Sequence, residues 1–277
     1  MRQVFNILPP MYKTKLRALV NSFEVSIPFT RGFFRYQEWP SNNEAEALSS
    51  PPYAEFPADF SNPLQTYFDS HTEGRGIWKW KHYFEIYHRH FSKFIGREVR
   101  ILEIGVYSGG SLEMWKQYFG PKCRVYGVDI EEACKAYTDD QVEIFIGDQA
   151  DHNFWAHFKK EVSLLDIIID DGGHHFHQQR ATLEEMLPHL RAGGVYLCED
   201  AHDVRNQFAA YIAGLSLNLH AAHAASPSEH LAVVPTQFQK SIHSVHLYPF
   251  VAVIERTESP ATEFVAPKHG TEWQPFL

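Results

Sequence analysis

Between Arg100 and Asp200, short apolar segments end again and again in carboxylates, glycines or histidine. Leu102-Glu103-Ile104-Gly105 runs into Gly109-Gly110-Ser111, and Val128-Asp129, Gly147-Asp148, Asp170-Asp171-Gly172-Gly173-His174 and Cys198-Glu199-Asp200 follow. In a parallel α/β sheet, ligands bind in the crevice outside the carboxyl ends of the strands, so one site would collect all of these groups. The first half suits a nucleoside ligand. A glycine-rich turn leading into a helix admits close backbone approach, but alone it is compatible with NAD, FAD or any nucleoside. Its neighbours narrow the choice. Glu103 would repel a dinucleotide phosphate and partner an ammonium group, Asp129 beside Ile130 can accept from both ribose hydroxyls, and Asp148-Gln149 can bond an exocyclic amine. A ligand with an adenosine end and an amino-acid end satisfies all three positions.

The second half suits a metal. Asp171, Glu199 and Asp200 would stand on neighbouring strand tips about 4.8 Å apart and repel one another without a cation. An all-oxygen donor set favours Mg²⁺. His174 lies three residues past Asp171 across two glycines, near enough to take a proton from a metal-activated hydroxyl. Plainer readings stand beside these: turns favour Asp, and one histidine among 17 means little by itself. Asp170 reads as a cap of the turn or of the following helix. His175, His177 and His202 read as supporting or exposed groups, and Lys79, His82 and Tyr83 as helix surface and core.

Positioning these groups requires strands that alternate with helices. Val99–Ile104, Arg124–Val128, Val142–Ile146, Leu165–Ile169 and Val195–Cys198 read as buried strands. Helical patterns lie between them, carrying Leu112, Trp115, Tyr118 and Phe119, then Phe154, Trp155 and Phe158, then Leu183, Met186, Leu187 and Leu190. Such alternation predicts an α/β, Rossmann-like, doubly wound seven-stranded sheet, mostly parallel. Arg191-Ala192-Gly193-Gly194 reads as a helix-to-strand turn, residues 204–225 as a helix and residues 226–240 as a loop. Ile242–Leu247 and Phe250–Ile254 suit a terminal antiparallel hairpin. Before the first strand, Tyr83, Phe84, Tyr87, Phe91 and Phe94 fall at helical spacing and face a core.

The predicted domain occupies residues 66–257. Residues 1–65 form a proline-studded N-terminal arm with at most one helix, near Met11–Phe23. Residues 258–277 form a polar tail that ends in Trp273-Gln274-Pro275-Phe276-Leu277, and the arm and this apolar terminus point to a homo-oligomer. With 25 Lys and Arg against 34 Asp and Glu, a formal charge of -9 argues against nucleic acid as a partner. The three cysteines, without a CxxC pair, argue against a disulfide framework or a zinc site and fit a reducing cytoplasm. No apolar run approaches the ~18 residues that span a membrane.

The segments LEIGVYSGGSLEMW, GVDI, GDQ, IDDGGHH and GGVYLCED resemble those of the class I S-adenosylmethionine-dependent methyltransferases. Within that class they resemble the Mg²⁺-dependent O-methyltransferases that act on sugar hydroxyls of macrolides and related natural products, over roughly residues 66–256. The resemblance implies S-adenosylmethionine and Mg²⁺ as cofactors, a small-molecule hydroxyl acceptor that is often glycosylated, Asp171, Glu199 and Asp200 as metal ligands, and His174 as general base. The donor pocket then comprises Glu103, Gly105, Gly109, Ser111, Asp129, Ile130, Asp148, Gln149 and Asp171. A catechol or phenol O-methyltransferase, and a donor-binding protein without catalysis, remain as alternatives. The proline-rich arm departs from the antibiotic-tailoring enzymes and leaves the acceptor open.

Overall fold

The computed structural model describes residues 62–202, 207–221, 232–267 and 269–271. Seven strands make one sheet: β1 (Val99–Ile104), β2 (Cys123–Asp129), β3 (Val142–Ile146), β4 (Leu165–Asp170), β5 (Leu190–Cys198), β6 (Ile242–Tyr248) and β7 (Val251–Arg256). Their order is β3-β2-β1-β4-β5-β7-β6, parallel from β3 through β5, with β7 antiparallel to β5 and to β6. The predicted doubly wound sheet and its C-terminal hairpin are therefore present.

Helices cover both faces. On one face lie α1 (Pro63–Ser70), α2 (Tyr83–Phe91) and α3 (Gly110–Phe119), which bury Tyr83, Phe84, Tyr87, Phe91, Leu112, Trp115 and Phe119 against Ile101, Val125, Ile167, Leu197 and Val253. On the other lie α4 (His152–Glu161), α5 (Phe176–Met186) and α6 (Gln207–Ser216), whose Trp155, Phe158, Leu183, Met186, Phe208 and Ile212 pack on Leu102, Ile104, Val128, Ile168, Tyr196 and Ile254. Each large apolar side chain so buried contributes about 2–3 kcal/mol of transfer free energy. Strand residues alternate between these two layers, as the two-residue pleat requires.

Three readings differ from the sequence expectation. The loop expected over 226–240 holds, among its described residues, a short strand at Ala232–Val233 and the start of a helix, Gln237–Ser241, capped by Thr236. Arg191–Gly194 belongs to β5 rather than to a turn; the register against β4 shifts between Leu165 and Ile167, and Gly193 takes φ +75°. The helix expected over 204–225 is α6 followed by a 3₁₀ turn, Leu217–His220, with 204–206 and 222–225 outside the described residues. The N-terminal arm through residue 61, its helix near Met11–Phe23 and the apolar terminus from Trp273 also lie outside them. Among the described residues, no helix is long and apolar enough to cross a membrane. The three cysteines are free and buried.

Candidate active site

A cavity of about 1120 Å³ opens over the carboxyl ends of β1, β2, β4 and β5. That volume exceeds what one small ligand needs, which leaves room for two reactants. Its floor is glycine because the backbones come too close for anything else. Gly105 has φ +86°, and a methyl group there would overlap the Asp171 carbonyl oxygen. Among the described residues, the non-glycine residues with left-handed backbone are Tyr107, His174, Asp200 and Phe250, and the first three line this cavity. Such strained conformations concentrate where a side chain must be aimed rather than merely packed.

At the β2 tip, the Asp129 carboxylate is fixed by backbone donors. Oδ2 accepts from the Val106 and Tyr107 amides, both at 2.9 Å, and Oδ1 accepts from the Glu131 amide at 2.9 Å. A carboxylate has about four lone-pair positions, so acceptor capacity remains for hydroxyls in the cavity. Ile130 (67% exposed), Asp148 and Ser111 also line it. Gly109, at φ +75°, packs against the Tyr137 ring at the start of α3.

Glu103 and Gln149 sit deeper than expected. The Glu103 carboxylate is fully buried and accepts from Ser111 Oγ at 2.8 Å and Trp115 Nε1 at 3.1 Å, so it faces the ammonium of Lys79, 3.9 Å away, and not open cavity. Burial raises its pKa, with Lys79 opposing. The Gln149 amide is committed within the protein: its Nε2 donates to Asp170 Oδ1 and Thr182 Oγ1, both at 3.0 Å, and its Oε1 accepts from the Gly173 amide at 2.6 Å. Asp170 does more than cap the turn, where the Gly172 amide bonds its carboxylate. It is buried, bonded by Gln149 and by Tyr196 Oη at 3.0 Å, and burial pushes its carboxyl up to about 6 against those hydrogen bonds.

The tips of β4 and β5 hold the reactive groups. Asp171 and Asp200 each have one oxygen engaged and one turned outward. Asp171 Oδ2 accepts from Lys79 Nζ at 2.5 Å, while Asp200 Oδ1 accepts from Tyr83 Oη at 2.7 Å and Trp80 Nε1 at 3.0 Å. The opposite oxygens, Asp171 Oδ1 and Asp200 Oδ2, lie 4.0 and 3.7 Å from His174 Nε2. One potential ligand atom from each of Asp171, His174 and Asp200 lies within 4.8 Å of the others, so the donor set fits a hard cation.

Glu199 is placed apart from that group. It is 1% exposed, and Lys79 Nζ bonds its two oxygens at 2.9 and 3.0 Å. Burial and the charge of Asp171 raise the Glu199 pKa. Burial acts to lower that of Lys79, but Asp171, Glu199 and Glu103 outweigh it and hold the ammonium above its ordinary value. Lys79 and Tyr83, which the sequence places on helix surface and in the core, and Trp80, which it does not single out, are the inner partners of the site carboxylates. Lys79 and Trp80 lie in the irregular segment before α2 and only Tyr83 stands on the helix. The sole signal was their place, just after Gly74-Arg75-Gly76 and at the start of α2 or just before it. His202 Nε2 stands 3.6 Å from Asp200 Oδ1. His175 is the N-cap residue of α5, where its backbone amide donates to Gln178 Oε1 at 3.4 Å, and its ring stacks on His177.

Comparison with known proteins narrows what such a site does. Residues 102–201 match the family described as "Methyltransferase domain". The chain is 38% identical over 122 residues to mycinamicin VI 2''-O-methyltransferase of Micromonospora griseorubida, covering 41% of this chain and 30% of that protein. It is 30% identical over 213 residues to 8-demethyl-8-(2-methoxy-alpha-L-rhamnosyl)-tetracenomycin-C 3'-O-methyltransferase of Streptomyces olivaceus, covering 70% of this chain and 54% of that protein. The chain thus spans 30% and 54% of the length of these two relatives. Among solved structures, the MycE methyltransferase of the mycinamycin biosynthetic pathway, in complex with Mg and SAH, aligns with a TM-score of 0.57 at 28% identity, over 71% of this chain and 53% of that one.

Proposed function

We propose that this chain, whose residues 102–201 match a methyltransferase domain, is an S-adenosylmethionine-dependent, Mg²⁺-dependent O-methyltransferase acting on a sugar hydroxyl of a glycosylated natural product. One observation carries the metal and acceptor half. The outward oxygens of Asp171 and Asp200 converge beside His174 at the mouth of a cavity whose other wall is the glycine loop and Asp129. The sugar acceptor follows from the relatives, whose names place the methyl group on sugar oxygens.

The fixed carboxylate of Asp129 would accept from the donor's ribose hydroxyls, and Ile130 and Asp148, which line the same cavity, would hold its adenine. Asp171 and Asp200 would hold Mg²⁺. When bound, the cation supplies the positive charge that makes an alcohol hydroxyl acidic enough to lose its proton near neutral pH. His174 Nε2 accepts that proton as the oxygen attacks the methyl carbon of the sulfonium. The carbon–sulfur bond breaks, its electron pair returns to sulfur, and S-adenosylhomocysteine and the methyl ether leave. Tyr83 and Trp80 keep Asp200 aimed by occupying its inner oxygen. Titration calorimetry should register S-adenosylmethionine binding to the chain, and a panel with labelled donor should place label on glycosylated acceptors in preference to free phenols. Preference for the phenols would move the reading to a catechol-type enzyme.

A further inference from the structure

Lys79 is a buried lysine, 4% exposed, among carboxylates that the sequence assigned to a metal. Its ammonium lies 2.5 Å from Asp171 Oδ2, 2.9 Å from Glu199 Oε1, 3.0 Å from Glu199 Oε2 and 3.9 Å from Glu103 Oε1. Three N–H donors are all that an ammonium has, and the three hydrogen bonds to Asp171 and Glu199 use them. Both Glu199 oxygens are therefore engaged, and the carboxylate, although it lines the cavity, is 1% exposed and lies outside the group formed by Asp171, His174 and Asp200. A divalent cation bound at Glu199 would have to displace Lys79 or stand next to it. Two cations sharing these oxygens within ~4 Å would repel strongly in a low-dielectric site.

Resting on the metal-dependent reading above, we propose that Lys79 is the permanent cation of this site, standing at Glu199 where a metal would otherwise bind, so that Asp171 and Asp200 present the carboxylate oxygens to a single divalent ion. Lys79 is then a positioning residue. It compensates Glu199 and Glu103, fixes the inner oxygen of Asp171 so that the outer one faces the ion, and ties the segment Gly76–Lys81, which lines the cavity, to the tips of β4 and β5. Gly110 supports this placement, because a side chain there would strike the Arg75 and Gly76 carbonyls and lift the segment. Glu199 contributes charge balance in place of a metal bond.

Mn²⁺ binding, read by the loss of its free-ion electron paramagnetic resonance signal, tests this without reference to turnover. In the full chain, one equivalent of Mn²⁺ should bind. Glu199→Gln, which keeps shape and an acceptor for Lys79, should change the dissociation constant less than threefold, whereas Asp200→Asn should weaken it at least tenfold. Lys79→Met, which frees Glu199 and Asp171, should tighten Mn²⁺ at least tenfold or admit a second equivalent. A tenfold loss in Glu199→Gln would make Glu199 a ligand and overturn the inference while leaving the metal-dependent function standing. No Mn²⁺ binding by the unaltered chain would remove the metal reading, and this inference with it.

Discussion

Two clusters of ionisable side chains bracket helix α2, and they are built to opposite ends. At its N-terminus, Lys79, Trp80 and Tyr83 hold the inner oxygens of Asp171, Glu199 and Asp200 beneath an open cavity. Toward its C-terminus, His90 is clamped between Glu255, 2.8 Å from its Nδ1, and Tyr248 Oη, 3.0 Å from its Nε2, with the His246 ring 4.8 Å away. His90, His246 and Glu255 also have the composition and spacing of a metal site. Yet both ring nitrogens of His90 already have partners, and His246 Nε2 meets Ser244 Oγ at 2.9 Å. Titration separates the two clusters as well. Burial raises Asp170, Glu103 and Glu199 at the strand tips, whereas the hydrogen bond from His90 draws Glu255 down to about 2. Residue types alone do not mark a reactive cluster. Oxygens left facing a cavity do.

Substitutions should therefore fall into separate classes. The largest effect is expected from Asp171→Asn, which weakens the hold on the cation; losing several kcal/mol of charge stabilisation should lower kcat about 10³-fold. His174→Ala should cut kcat by about 10²-fold or more, the usual worth of a positioned base, while calorimetry finds donor affinity unchanged. In the other cluster, His90→Ala should leave methyl transfer at its original rate. It should nonetheless cost about 1–3 kcal/mol of stability, because a buried acceptor and a hydroxyl lose their partner, and thermal melting would register the loss. The smallest effect is pH-dependent. The folded pKa of Glu255, about 2, lies below its ordinary value of 4.5, so its stabilisation is complete above pH 4.5 and disappears as pH falls toward 2. The melting temperatures of the parent chain and Glu255→Gln should differ at pH 6 and converge across that window. If His90→Ala reduced turnover as much as His174→Ala does, the separation of the two clusters would fail.

The strand tips were legible in the sequence because buried parallel strands are continuous apolar runs that stop at the ligand-binding edge. Val99–Ile104 and Val142–Ile146 have their expected bounds, and Asp129, Asp171, His174 and Asp200 all reach one cavity. Less legible was which member of each adjacent acidic pair faces that cavity. Asp170 turns into the packed interior and does not line the cavity, whereas Glu199 lines it beside Asp171 and Asp200 but is covered by Lys79. The partner of Glu199 was not legible at all. Lys79 lies 120 residues upstream in an aperiodic segment, and such a contact leaves no local pattern.

The central claim is tested most directly by following the labelled methyl group of S-adenosylmethionine into a glycosylated polyketide acceptor, first with EDTA and then with Mg²⁺ restored. The account predicts no transfer in EDTA and recovery with Mg²⁺, with the label in an ether on a sugar oxygen. Equal transfer under both conditions, or label on carbon or nitrogen, would contradict it.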